Sequence, residues 1–239
     1  MSSINGWVSE KTNNRIPTLL NSIDPDEVMF LVNTLYIKVD WEKGFVEEST
    51  GDRVFTLLNG QVIQTPTMYA DRGFNTYSDD DMITVELPYK DEGLSMYLIK
   101  PLSGDVNELI SRFDEDKMSD ILNNSMPERL MFTMPRFEVK YENTEVRKNL
   151  NLLGINQIFS GQADLSKMAT RNNLAISRVV HKTYITVDEK GTEGAAVTAA
   201  GVVNTSLPPQ VDFDSPFMFV IMEKTYGEML FMGRITDPR

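Results

Sequence analysis

Few residues in this sequence could do chemistry. His181 is the only histidine and there is no cysteine, which excludes a thiol nucleophile, a disulfide framework and a thiolate metal site. A serine hydrolase would have to use His181 as its base. Yet no G-x-S-x-G nucleophile motif accompanies it, no G-x-x-x-x-G-K-S/T phosphate loop is present, and His181 lies inside the β-periodic run Ala175 to Val187. A buried, hydrogen-bonded histidine is the better reading. The chain is expected not to be an enzyme, with no cofactor and no metal.

What remains is one segment whose composition sets it apart. Between Lys190 and Asp212 the chain carries one charge, on Glu193, amid Gly, Ala, Thr and Val, and ends in Ser206-Leu207-Pro208-Pro209. A connection this long without strong structure of its own is uncommon and is usually functional or disordered. Disordered segments are normally polar and charged, which this one is not. Its small residues suit a strand, in which Thr192, Gly194, Ala196, Thr198, Ala200 and Val202 share one face. The segment reads as a loop at one time and a strand at another. A permanent Ala/Val strand or short helix before a Pro-Pro turn fits the same composition. Asn204-Thr205-Ser206 also matches a glycosylation acceptor pattern.

The elements that must position this segment follow from periodicity. The 239 residues, 41% hydrophobic and 24% charged, have the composition of an ordinary globular protein. Apolar runs such as Phe217 to Met222 are strand-length, far short of the roughly 20 residues of a membrane helix. A net charge of -12 opposes phosphate binding, so neither nucleic acid nor a membrane span is expected. The N-terminus lacks the charged-then-apolar pattern of a signal peptide. Ile4, Trp7, Val8, Ile16, Leu19 and Leu20 recur at helical spacing, predicting an opening helix and a connector. Strands are expected at Val28 to Val39, Met82 to Leu87, Leu94 to Lys100, Leu130 to Val139, Ala175 to Val187, Phe217 to Met222 and Met229 to Ile235. Asp105 to Asn123 reads as two short helices and Thr144 to Leu153 as a helix capped by Gly154, while Lys224 to Gly227 reads as a hairpin turn. The fold class is α+β with large, mainly antiparallel sheets. No internal repeat or dividing linker is visible.

Several stretches, in order, resemble one family. Glu189-Lys190-Gly191-Thr192-Glu193-Gly194-Ala195-Ala196, followed by Ser206-Leu207-Pro208-Pro209, is similar to the hinge and reactive-centre loop of inhibitory serpins. Val211 to Phe219 is similar to the family's signature after the loop, Leu230 to Ile235 to its closing strand, and Leu31 to Lys38 with Trp41 and Phe45 to the strand and turn beside the opening of its main sheet. Val85 to Tyr89, Met134 to Phe137, Ala163 to Ser166 and Val179 to Lys182 fall in the family's order as well. The resemblance covers nearly the whole chain and identifies residues 1–239 as the C-terminal portion of a single serpin domain, truncated of its N-terminal helical region, with the reactive loop at about 189–210.

The resemblance implies a suicide-substrate inhibitor. A serine, or cysteine, endopeptidase cuts the exposed loop, is acylated by it, and is trapped as the loop inserts into the main sheet. Roughly ten inserted residues, at about 0.5 to 1.5 kcal/mol per ladder bond, would release on the order of 10 kcal/mol. Glu189, Gly191, Thr192, Glu193, Gly194, Ala195 and Ala196 form the hinge. Gly194 stands where the family usually has Ala, costing about 0.5 to 1 kcal/mol of backbone entropy on insertion. Counting from Gly191 places the scissile bond at Thr205-Ser206, with Val203 as the alternative bait. Either side chain suits an elastase-like or subtilisin-like protease. Asn33 matches the hydrogen-bond partner of His181 beneath the opening sheet, Trp41 belongs to the same region, and Arg136 matches the basic partner of Glu189. The absent N-terminal region implies an exposed apolar sheet face, self-association through sheet or loop, and a chain that does not inhibit alone. An extracellular or cell-envelope location is expected. The alternative is a non-inhibitory relative whose loop is cleaved without trapping, for which charged, bulky or proline residues on the hinge's inward face would speak. None occurs.

Overall fold

The computed structural model describes all residues except 26, 28, 92, 103, 104, 144, 169–173 and 193–206. In chain order the elements are α1 (Ser2–Lys11), β1 (Phe30–Tyr36), β2 (Val39–Asp40), β3 (Gly51–Thr56), β4 (Val62–Ser78), β5 (Met82–Pro88), β6 (Leu94–Pro101), α2 (Val106–Arg112), α3 (Glu115–Asn124), β7 (Met126–Pro135), β8 (Phe137–Asn143), α4 (Val146–Leu152), β9 (Arg178–Val187), β10 (Gly191–Thr192), β11 (Gln210–Asp212), β12 (Phe217–Glu223) and β13 (Glu228–Ile235). They fall into two compact units, one of Met1–Ile37 with Val139–Ile185, the other of Lys38–Glu138 with Thr186–Arg239.

In the first unit, α1 stops at Lys11, and Asn13 and Asn14 take positive φ, which asparagine tolerates. The helical spacing of Ile16, Leu19 and Leu20 therefore continues without a helix. Asn5 does the work instead: its side-chain oxygen accepts from the N–H of Leu19 and Leu20, and its Nδ2 donates to the Leu20 carbonyl. The connector is thereby folded under a sheet of order β1-β9-β8. β1 and β9 run parallel, from Phe30 opposite Arg178 to Tyr36 opposite Tyr184. Parallel partners share a face, so Phe30, Val32 and Tyr36 lie with Val180 and Tyr184 and pack on Val8, Ile16, Leu19 and Leu20. On the opposite face Val179 joins Phe159 and Ile176, while Asn33 is exposed and His181 half-buried. α4 ends as expected, with Gly154 at φ +86.

The second unit is built on an eight-stranded sheet of order β11-β7-β4-β5-β6-β12-β13, with β3 paired to β4. Most pairings are antiparallel, β11 with β7 being parallel. β12 is buried along Phe217 to Met222, and with Tyr97 and Ile99 of β6 it packs against Leu109 of α2 and Met118 and Ile121 of α3. These two helices are held apart by their caps: Asp105 accepts from the N–H of Asn107 and Glu108, and Asp114 from that of Lys117. The β3–β4 hairpin was not expected from the sequence. The expected strand Leu130 to Val139 is broken at Arg136, whose N–H turns to the Pro66 carbonyl. Among the described residues no helix is long and apolar enough to cross a membrane.

Candidate functional site

After β9 the chain makes a tight bend over Asp188 to Gly191, closed by the Asp188 N–H on the Gly191 carbonyl (3.1 Å) and the Lys190 N–H on the Asp188 carboxylate (2.8 Å). Gly191 sits at φ +145, and a Cβ there would stand 2.4 Å from the Val39 carbonyl and 2.6 Å from the Asp40 Cα. Only glycine fits a backbone this close. Thr192 follows into the short ladder of β10 on β2, with Gly191 opposite Asp40 and Thr192 opposite Val39. The hinge thus starts as strand.

The loop from Trp41 to Phe45 clamps this bend. The Trp41 N–H donates to the Lys190 carbonyl (2.9 Å), its indole N–H to the Asp188 carbonyl (2.9 Å), and the Phe45 N–H to the Glu189 carbonyl (2.7 Å). A Cβ on Gly44 would meet that same carbonyl at 2.8 Å, so the loop approaches only because it has none. The Trp41 ring stacks on Tyr89 at 4.5 Å, and the Tyr89 hydroxyl bonds the Thr192 hydroxyl at 2.8 Å. Trp41, Tyr89 and Thr192 are all buried, and burial pushes the Tyr89 phenol well above its ordinary range against a smaller pull from Thr192.

Glu189 is the charged centre of the clamp, its side chain 3% exposed. Arg136 Nε donates to both carboxylate oxygens at 2.7 and 2.9 Å and Nη2 lies 2.6 Å from Oε1, while the Thr50 hydroxyl donates to Oε1. Burial alone would raise this carboxyl; the bonds from Arg136 and Thr50 outweigh it and hold the group below the usual glutamate range. Lys190 reaches the exposed Glu47 at 3.1 Å. A bent chain, a buried carboxylate and two glycines therefore fix where the uncharged segment leaves the sheet.

Of the residues expected in the site, Trp41, Arg136, Glu189, Gly191 and Thr192 come together here. Glu193, Gly194, Ala195, Ala196, Val203, Thr205 and Ser206 lie outside the described residues. Asn33 and His181 are register partners in the β1–β9 pair, but the expected hydrogen bond between them gives way to another: the His181 ring bonds the Thr183 hydroxyl through Nε2 at 3.1 Å. Thr183 stands two residues on along the same strand face, whereas the Asn33 side chain is turned to solvent. His181 is half-buried rather than buried. Sequence reasoning missed Thr50, Tyr89 and Gly44. Tyr89 lay in a stretch already matched in family order, a usable signal; nothing about Thr50 in sequence marks it.

On the far side of the segment Leu207 is exposed, the Pro209 carbonyl accepts from the Met131 N–H, and β11 then pairs with β7. Fold and site together define an α+β protein that anchors both ends of one long, nearly uncharged segment to sheets. The family model of the serpins (serine protease inhibitors) matches residues 1–238, and the chain belongs to that family. An uncharacterized serpin-like protein of Thermococcus kodakarensis is 34% identical, the match covering 99% of this chain and 56% of the relative. The leukocyte elastase inhibitor of Xenopus laevis is 34% identical over 98% of this chain and 65% of its own length. The solved structure of the thermophilic serpin tengpin in its native state superposes with a TM-score of 0.87 at 30% identity, covering 99% of this chain and 62% of that one. The chain thus spans less than two thirds of the length of each.

Proposed function

We propose that this chain carries the bait, the hinge and the hinge anchor of a serpin-type inhibitor of serine, or cysteine, endopeptidases. The observation that supports this most is Thr192. The first residue of the hinge's inward face is fully buried and already paired in a ladder, so the segment begins in the conformation that insertion would extend. The leukocyte elastase inhibitors among the relatives favour an elastase-like target, which the small side chains of Thr205 and Val203 suit, and a subtilisin-like pocket accepts them equally. The scissile bond is Thr205-Ser206, with Val203 the alternative bait.

Incubation with elastase-like and subtilisin-like proteases, followed by mass analysis and a denaturing gel, tests the reading. A released peptide beginning at Ser206 is expected. One beginning at Asn204 would move the bait to Val203, and no cleavage anywhere between Thr192 and Leu207 would overturn the bait altogether. A second reading, cleavage without trapping, is favoured for the isolated chain by the exposure of Asn33 on the sheet that would receive the loop. Product without a denaturant-stable complex is the outcome that reading expects.

A further inference from the structure

Away from the hinge, a cavity of about 300 Å³ opens beside the middle of β4. Arg72 faces into it from the same strand face as Phe74, with its guanidinium between two rings, 5.2 Å from the Phe45 centroid and 4.9 Å from that of Phe74. A guanidinium has five N–H donors in a planar fork. Here Nη1 donates to the Gly44 carbonyl at 2.7 Å, and among the described residues this is the hydrogen bond that Arg72 makes. Two of the three neighbouring carboxylates are otherwise engaged. Asp71, on the opposite strand face, holds Arg129 through both oxygens at 2.8 and 3.0 Å. Glu86, which lines the cavity, gives Oε1 to Ser95, Tyr97 and Lys224 and Oε2 to Asn75. Glu42, exposed and lining the cavity beside the exposed Lys43, acts on Arg72 through space and favours its charge.

A cation held among aromatic rings and facing a half-open cavity, with no carboxylate hydrogen-bonded to it among the described residues, is half of a charge-assisted pair. Burial draws the Arg72 guanidinium down to about 10 against a smaller pull upward from Glu42, a desolvation cost that a bound anion would offset. Phe74, Leu87, Pro88 and Pro127 give the cavity an apolar side, alongside Gly73, Asn75 and Glu86. We propose that this cavity is a binding site for a small organic monocarboxylate, its carboxylate taken by the free edge of Arg72 and its aromatic or acyl body laid against Phe74, Leu87, Pro88 and Pro127. The Gly44 carbonyl that Arg72 holds is followed by the Phe45 N–H on Glu189, so the site adjoins the hinge anchor.

Titration of the 239-residue chain with benzoate, benzamide and inorganic phosphate, followed by calorimetry and by amide shifts in ¹⁵N-labelled protein, tests this. Benzoate is expected to saturate, to shift the amides of Gly44 and Gly73 to Asn75, and to bind about tenfold or more tightly than its neutral amide. Arg72→Met should lose that advantage, and Arg72→Lys, which keeps the charge without the fork, should lose most of it. Equal binding of benzoate and benzamide would overturn the proposal, as would phosphate binding as tightly as benzoate, since the site would then read charge alone. Should Arg72→Met fail to fold by circular dichroism, the comparison of the three compounds on the unaltered chain decides.

Discussion

The Arg136–Glu189 pair is asymmetric, and the asymmetry fixes what each substitution does. Glu189 is buried while the Arg136 side chain is 44% exposed, so removing the arginine strands a carboxylate whereas neutralising the glutamate leaves a cation that water can reach. Arg136→Met is expected to cost about 3 kcal/mol and Glu189→Gln about 1 to 2 kcal/mol, read as shifts in urea midpoint at constant slope. Equal costs would mean that the pair behaves as a surface contact. Because the Glu189 carboxyl titrates lower in the folded chain than its free value of 4.5, its contribution is fully present above that pH and is lost as pH falls through the folded value. The acid limb of stability below about 4.5 should therefore be shallower in Glu189→Gln. Gly191→Ala forces a Cβ into the β2 backbone at a φ that only glycine holds comfortably, and should free the hinge. Faster proteolysis after β9, with global stability little changed, is the expected sign. The partners of this cluster were legible only in part. Glu189, Arg136 and Trp41 could be matched in order, but Thr50 and Gly44 act through proximity across the chain, which spacing does not encode.

Elements were most legible where burial and period agree. β12, apolar at every position from Phe217 to Met222, and the two helices capped by Asp105 and Asp114 lie within a few residues of their expected limits. The β3–β4 hairpin was not legible because its buried face is built partly from Thr65 and Thr67, while Val54 and Val62 point to solvent. Its alternation is real, but the usual polarity of the two faces is inverted in places. The connector after α1 failed in the opposite sense: its spacing was helical, yet two positive-φ asparagines and the Asn5 side chain hold it in another form. Asn5→Ala leaves two N–H groups and a carbonyl without those partners and is expected to cost about 2 kcal/mol. The loss should appear as faster hydrogen exchange at Leu19 and Leu20 with β12 still protected to the global limit. Uniform exchange loss across both would mean that the connector is not a separable element.

At the scale of the whole molecule, loop insertion gains less from hydrogen bonds than the number of inserted residues suggests. β1 and β9 already pair in parallel from Phe30 to Tyr36, so a strand entering between them breaks one ladder to make two and gains only one. Over that length the gain is on the order of 5 kcal/mol. Ordering the inserted backbone, at about 1 to 2 kcal/mol per residue, consumes at least as much. Insertion therefore has to be driven by burial of the small Ala, Thr and Val side chains, at about 25 cal/mol per Å² of apolar surface removed from water. One face of the receiving sheet offers such a seat, among Val8, Leu19, Leu20 and Tyr184, while the other presents an exposed Asn33 and a half-buried His181. With the far face open around Asn33 and His181, part of that burial is missing and the balance stays near zero. Cleavage of the 239-residue chain at Thr205-Ser206 is accordingly expected to leave its melting temperature within a few degrees of the intact chain. An insertion worth on the order of 10 kcal/mol would raise it by roughly 20 to 40 °C in a protein of this size. A calorimetric rise above about 10 °C after cleavage would show that the sheet takes the loop unaided and that burial on one face is enough.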